Sequence, residues 1–160
     1  MATTSTNKQP LFVDRVFHNV IATDNLASNS ADTLNIEGTN SSAVLLNCQT
    51  SDGAVIEDLY CISRSDVAYT ALFYFSTAVD YLRKEEAIYI GSVTSNITPG
   101  QIESSTEIPK VLAPLPNAGD EAQVRALYVP KGRVLWVTLQ LDGPVDSASA
   151  PIVGAQGGYY

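Results

Sequence analysis

The sequence predicts an all-β fold: an antiparallel β-sandwich of the jelly-roll kind with an extended N-terminal arm. Three observations carry that expectation. Short apolar runs recur, several with polar residues at alternate positions; turn signals separate them; and no long amphipathic helical pattern competes. The 160 residues suit one domain, divided into an arm over residues 1–30 and a β-sandwich over residues 31–160.

The arm begins with a Ser/Thr/Asn-rich stretch over Met1–Asn7. It continues as Lys8-Gln9-Pro10-Leu11-Phe12-Val13-Asp14-Arg15-Val16-Phe17-His18-Asn19-Val20-Ile21, which is apolar in places but keeps no clean period of 2 or 3.6. Lys8 and Arg15 balance Asp14 and Asp24, so the whole net charge of −8 falls on residues 31–160. Fully extended, such an arm reaches about 100 Å. Phe12, Val13, Phe17 and Val20 need a surface to cover them. Two readings follow: the arm docks on a neighbour, or it packs on its own domain as an edge strand.

In the body, Leu34 and Ile36 alternate with polar neighbours, and Ala43–Cys48 is a short apolar run. Asp52-Gly53 then predicts a hairpin into Val55–Ile62. In Val67–Phe75 the residues Val67, Tyr69, Ala71, Phe73 and Phe75 share one face of a strand. Thr77–Glu86 reads as a loop or one helical turn, and Ala87–Thr94 as a strand. Asn96–Glu107 reads as a loop around Pro99-Gly100. Three prolines make Ile108–Pro116 an edge strand or connector. Val124–Val129 and Arg133–Leu141 flank Pro130-Lys131-Gly132, where Pro at the second and Gly at the fourth position fit a type I turn. Leu135, Val137, Leu139 and Leu141 line one face of the second strand and Trp136, Thr138 and Gln140 the other, as in a half-buried strand. Pro151–Ala155 is a last short strand, followed by a tail, Gln156-Gly157-Gly158-Tyr159-Tyr160.

The chemistry is sparse. The only histidine, His18, lies in the arm, so no catalytic base stands within the body, and no G-x-S-x-G, H-E-x-x-H, P-loop or G-x-G-x-x-G motif occurs. We therefore expect no enzyme activity and no catalytic residue. Glu57 and Asp58 would point to opposite faces of a regular strand, and Glu85-Glu86 and Asp120-Glu121 read as solvated charges. Asp142-Gly143-Pro144-Val145-Asp146 lacks the oxygen ligands of a calcium loop. The sequons at Asn40 and Asn96 come without a secretory signal. Cys48 and Cys61 read as buried thiols, with a disulfide between neighbouring strands as the alternative, and one histidine with two cysteines makes no zinc site. No metal and no cofactor is expected. A pI of about 4.4 and basic residues in runs no longer than two argue against nucleic acid as a partner. The lack of any apolar run of about 18 residues argues against a membrane partner, and the chain reads as soluble where it is made.

Three stretches carry a resemblance. The opening Asn7-Lys8-Gln9-Pro10-Leu11-Phe12-Val13-Asp14-Arg15 resembles the start of small structural proteins of tailed bacteriophages. Val55–Thr94 resembles their middle, with an aromatic-rich strand followed by Leu82-Arg83-Lys84-Glu85. The end, with Val129-Pro130-Lys131-Gly132 before an apolar strand and a Gly-Gly-aromatic close, is similar too, although Tyr159 departs from an acidic version of that close. The resemblance implies a β-sandwich virion component, made in the host cytoplasm and built as a homo-oligomer, a dimer or trimer. The specific expectation is a capsid decoration (cement) protein that binds and stabilises the shell of major capsid protein. A tail or head-tail connector protein is the first alternative. A carbohydrate- or receptor-binding module with Trp136 or loop tyrosines as its platform is the second. The expected interface residues are Lys8, Pro10, Phe12, Val13, Arg15 and Phe17 in the arm and Tyr159 and Tyr160 at the end. Deleting residues 1–22 is expected to leave a folded domain that binds particles poorly.

Overall fold

Branched and aromatic side chains pack well on a pleated surface, and the stretches Thr70–Ser76 and Val134–Gln140 at the centre of one sheet are rich in them. The computed structural model describes residues 15–24, 26, 28–29, 42–104, 111–112, 125–140 and 149–160. These residues form strands and no helix: β1 (Arg15–Ala22), β2 (Ser28–Asn29), β3 (Ala43–Asn47), β4 (Gly53–Ile62), β5 (Thr70–Ser76), β6 (Ile88–Thr94), β7 (Ile102–Ser104), β8 (Val111–Leu112), β9 (Arg125–Pro130), β10 (Val134–Gln140) and β11 (Ile152–Tyr159). The first sheet has the order β1-β11-β4-β9-β8, with β7 also paired to β4; the second has the order β2-β10-β5-β6, with β3 also paired to β10. Every pairing is antiparallel except the two-residue contact of β2 with β10.

Both sheets contribute to one apolar core. Ile56, Leu59 and Cys61 of β4, Leu127 and Val129 of β9 and Val153 of β11 meet Phe73 of β5, Val93 of β6 and Leu135, Val137 and Leu139 of β10. Fully burying side chains of this size stabilises the fold by about 1.5–3 kcal/mol each. Tyr69, Ala71 and Phe73 face this core and Phe75 packs at its edge, as the alternation predicts. Val67 is exposed, because the strand begins only at Thr70.

Several expectations change. The half-buried strand at Arg133–Leu141 is buried on both faces over Val134–Leu139. Its outward side forms a second cluster of Leu72, Tyr74, Leu82, Val134 and Trp136, with Val44 and Ala87 packed against it. Leu82 and Ala87 come from the connection between β5 and β6, which folds back over the second sheet. That connection is a loop with one turn at Lys84–Glu86. Asp52-Gly53 does not close a hairpin: β3 and β4 belong to different sheets, so this turn carries the chain from one sheet to the other. Gly53 is needed there, with φ +132° and a position whose Cβ would sit 2.8 Å from the Val129 carbonyl oxygen. The turn after β9 also crosses between sheets. Arg133 N donates to Pro130 O (3.2 Å) and Gly132, third in the turn, has φ +81°, which is type II rather than type I geometry. Lys131 of this turn pairs with Asp52 of the other at 2.9 Å.

The closing tail is the largest difference. β11 runs through Gln156-Gly157-Gly158-Tyr159, and it lies inside the first sheet between β1 and β4. Of the two readings for the arm, Arg15–Ala22 takes the edge-strand one and pairs with β11 in unbroken register. Thr23, fully buried just beyond β1, donates its hydroxyl to Pro151 O at 2.5 Å and ties the two strands at that end. Lys8, Pro10, Phe12 and Val13 lie outside the described residues, as do Leu34, Ile36, the sequon at Asn40, Asp120-Glu121 and Asp142–Asp146.

Candidate functional site

The β1–β11 pairing brings together three of the residues expected at an interface. Arg15 lies opposite Tyr159 in register, and its guanidinium carbon stands 4.8 Å from the centre of that ring. Phe17, on the same face of β1, meets Tyr159 with ring centres 4.9 Å apart, and both pack against the core. Tyr160 goes elsewhere: its amide donates to Gly53 O (3.1 Å) and its ring lies 6.0 Å from that of Tyr128. The terminal tyrosines are therefore held on neighbouring strands of the same chain.

The opposite face of β1 points to solvent. Val16 is 82% exposed and Val20 48%, with His18 between them and Ala22 beyond, also exposed. On this outer face the middle strand β11 places Gly158 and Gly154 opposite Val16 and Val20, and Gln156 and Ile152 opposite His18 and Ala22. Gly154 leaves room for the Tyr60 ring, which a Cβ there would meet at 2.1 Å. The Tyr60 hydroxyl thereby reaches across β11 and hydrogen-bonds to His18 Nε2. Burial, then the charge of Asp58, pushes the Tyr60 hydroxyl above its ordinary range. Beside this bridge lies an open depression of about 380 Å³, lined by Val16, Phe17, His18, Glu57, Gln156 and Gly157. Glu57 reaches it because β4 is not regular. Gln156 lies opposite Asp58 and Gly157 opposite Ile56, so Glu57 is the extra residue of a bulge. Asp58 accepts a hydrogen bond from Ser104 at 2.9 Å. Sequence reasoning missed Tyr60, Glu57 and Gln156, since only the bulge and the glycines of β11 bring them beside His18.

The remaining candidates have local roles. Glu86 accepts from Thr77 and pairs with Arg83. Asn96 donates to Glu103 and accepts from the Thr98 amide, which folds the loop before β7. Trp136 is 3% exposed and donates Nε1–H to Ala78 O at 3.1 Å, so it offers no platform to a sugar ring. Among the described residues no three His, Cys, Asp or Glu side chains converge to hold a metal ion.

Cys48 and Cys61 are free and buried. Burial pushes both thiols up, Cys61 from an ordinary 9.0 to about 12. Between those two pH values the folded chain keeps a proton that the unfolded chain has released, so stability falls as pH rises from about 9 toward 12. Thiol labelling of the native protein near pH 8 is expected to be slow at both cysteines and to reach two per chain on unfolding. Rapid labelling of the native state would contradict the burial described.

No family model matches the chain, and neither the curated proteins nor the solved structures yield a match to it.

Proposed function

We propose that the chain is a non-catalytic assembly module, a β-sandwich with jelly-roll connectivity. The strand order supports this: β1-β11-β4-β9 faces β3-β10-β5-β6 across a shared core, and every neighbouring pair in those two series is antiparallel. Eight strands wound in that order are two interlocked Greek keys, an architecture that recurs in capsid and lectin domains.

Within that class the particular reading is a tailed-phage virion protein that decorates the capsid, bound to the major capsid protein. The phage resemblance of the two ends and the middle supports it. The observation that carries it is the outer face of β1, where Val16 and Val20 stand exposed at the edge of a sheet on a chain of net charge −8. Covering such side chains yields roughly 25 cal/mol per Å² before the entropic cost of association. Copies bound side by side on a lattice gain further through avidity.

The position of β1 changes the truncation that tests this reading. Deleting residues 1–22 would remove an entire strand together with Phe17 and Ile21, which pack on the core. Deleting residues 1–14 leaves every described strand intact. The expected result is a truncated protein with an unchanged thermal transition that co-sediments with undecorated phage heads at least about tenfold more weakly than the full chain. Equal binding by the two proteins would remove residues 1–14 from the docking surface. Absence of binding by the full chain would defeat the decoration reading.

A further inference from the structure

We propose that the depression beside the His18–Tyr60 bridge receives a basic side chain, best an arginine, from a partner protein. The inference deepens the docking proposed above and rests on the outer face of β1 being the docking face. It names the chemical group that this face recognises, and its test needs no phage shell.

The key group is Glu57. A regular strand would turn either Glu57 or Asp58 toward the core. The bulge in β4 spares both: Ile56 and Leu59 are buried in the core, while Glu57 and Asp58 between them are not buried. Bulges re-aim side chains in this way and recur beside functional sites. Most carboxylates among the described residues are held by their own chain. Arg64 pairs with Asp24, Lys131 with Asp52, and Arg83 with both Asp80 and Glu86. Ser104 donates to Asp58 and Asn96 donates to Glu103. Glu57, Asp66 and Glu85 have no such partner among the described residues. Asp66 and Glu85 stand on loops, whereas Glu57 stands within a central strand and lines the depression.

The lining selects the ligand. Glu57 brings a full negative charge, Gln156 a second acceptor through its side-chain carbonyl, and Val16 an exposed apolar wall. A basic side chain matches all three, with its N–H groups on the two acceptors and its methylene stem along Val16. Arginine fits better than lysine, because its planar fork meets two acceptors at once. The cation of β1 does not fill the place: Arg15 lies on the opposite face of the strand, over the Tyr159 ring. An anion would be repelled by Glu57. A metal ion would find no set of three His, Cys, Asp or Glu ligands among the described residues. Charge and cover together select a protein as the source. A chain of net charge −8 attracts basic surfaces. Val16 and Val20, exposed on the same face as the depression, need an apolar cover that a small free amine does not supply.

The test follows the isotope-labelled full chain by NMR as Nα-acetylarginine amide is added at constant ionic strength. The signals of Val16, His18, Glu57 and Gln156 are expected to shift together and to saturate. The citrulline analogue, of the same shape without the charge, and methyl glucoside should leave those signals in place. Glu57→Gln should weaken arginine binding by about three- to fivefold, the upper range for an exposed ion pair. It should leave the thermal transition unchanged, because Glu57 is exposed. Absence of any shift, shifts of equal size at Asp66 and Glu85, binding indifferent to Glu57→Gln, or equal shifts from the citrulline analogue or methyl glucoside would each overturn the proposal. A full chain that co-sediments with phage heads but ignores the arginine derivative would overturn this inference alone. One that binds the derivative at these residues but no heads would uphold the inference and defeat the shell reading.

Discussion

Trp136→Ala is expected to destabilise the fold by about 3–5 kcal/mol, the range for removing a buried aromatic side chain. Trp136 sits at the centre of the second cluster, between Leu72, Tyr74, Leu82 and Val134. It is also what the β5–β6 connection is built around: its Nε1–H reaches the carbonyl of Ala78, and Leu82 is fully buried beside it. Alanine leaves a cavity under that connection and removes a hydrogen bond. Trp136→Phe restores most of the apolar volume but not the donor, so it should cost distinctly less. Denaturant unfolding monitored by circular dichroism measures both. A loss below about 1 kcal/mol for alanine would mean that the outer cluster contributes little to the fold.

The second large effect is expected at Gly157. A Cβ there would lie 1.9 Å from Val55 O, 2.9 Å from Val55 C and 3.0 Å from Ile56 Cα. All three are backbone atoms of the strand paired beside it, so no rotamer relieves the clash and β11 must move away from β4. We expect Gly157→Ala to lower stability by about 3 kcal/mol or more, at or beyond the upper end of ordinary overpacking. Gly154→Ala should cost less, because the atoms it meets belong to the Tyr60 ring, which can turn aside and give up its bridge to His18. Gly132→Ala meets no atom within 4 Å and bears only the strain of φ +81°, about 1 kcal/mol. Thermal melts of the three variants should rank in that order. A Gly157→Ala protein as stable as Gly132→Ala would contradict the close β4–β11 approach.

The strands with one-sided patterns were legible. β5 alternates Ala71, Phe73 and Phe75 toward the core, and β10 does the same with Leu135, Val137 and Leu139. The failures have physical causes. β1 hides its period because both faces are apolar: Phe17 and Ile21 pack inward while Val16 and Val20 are left outside. A pattern rule assumes that solvent-facing positions are polar, and this edge breaks it. β11 reads as a tail because Gly157 and Gly158 have low strand propensity, yet glycine is what the bulged approach to β4 requires. Trp136 reads as half exposed because what covers it depends on where residues 77–87 fold. Asp52-Gly53 is a sound turn signal, but a turn dipeptide does not say whether the next strand joins the same sheet. Of the residues expected at an interface, Phe17 and Tyr159 pack on each other and on the core of their own chain. That meeting needed the β1–β11 register.

The central claim is that this chain decorates a phage capsid, and cryo-electron microscopy of particles with and without it tests that most directly. The account predicts difference density on the outer surface of the capsid lattice, repeated with the lattice symmetry and fitted by the two-sheet domain with β1 in contact with a neighbouring chain. Density confined to the tail axis or the head-tail junction, or no difference between the two particles, would contradict it.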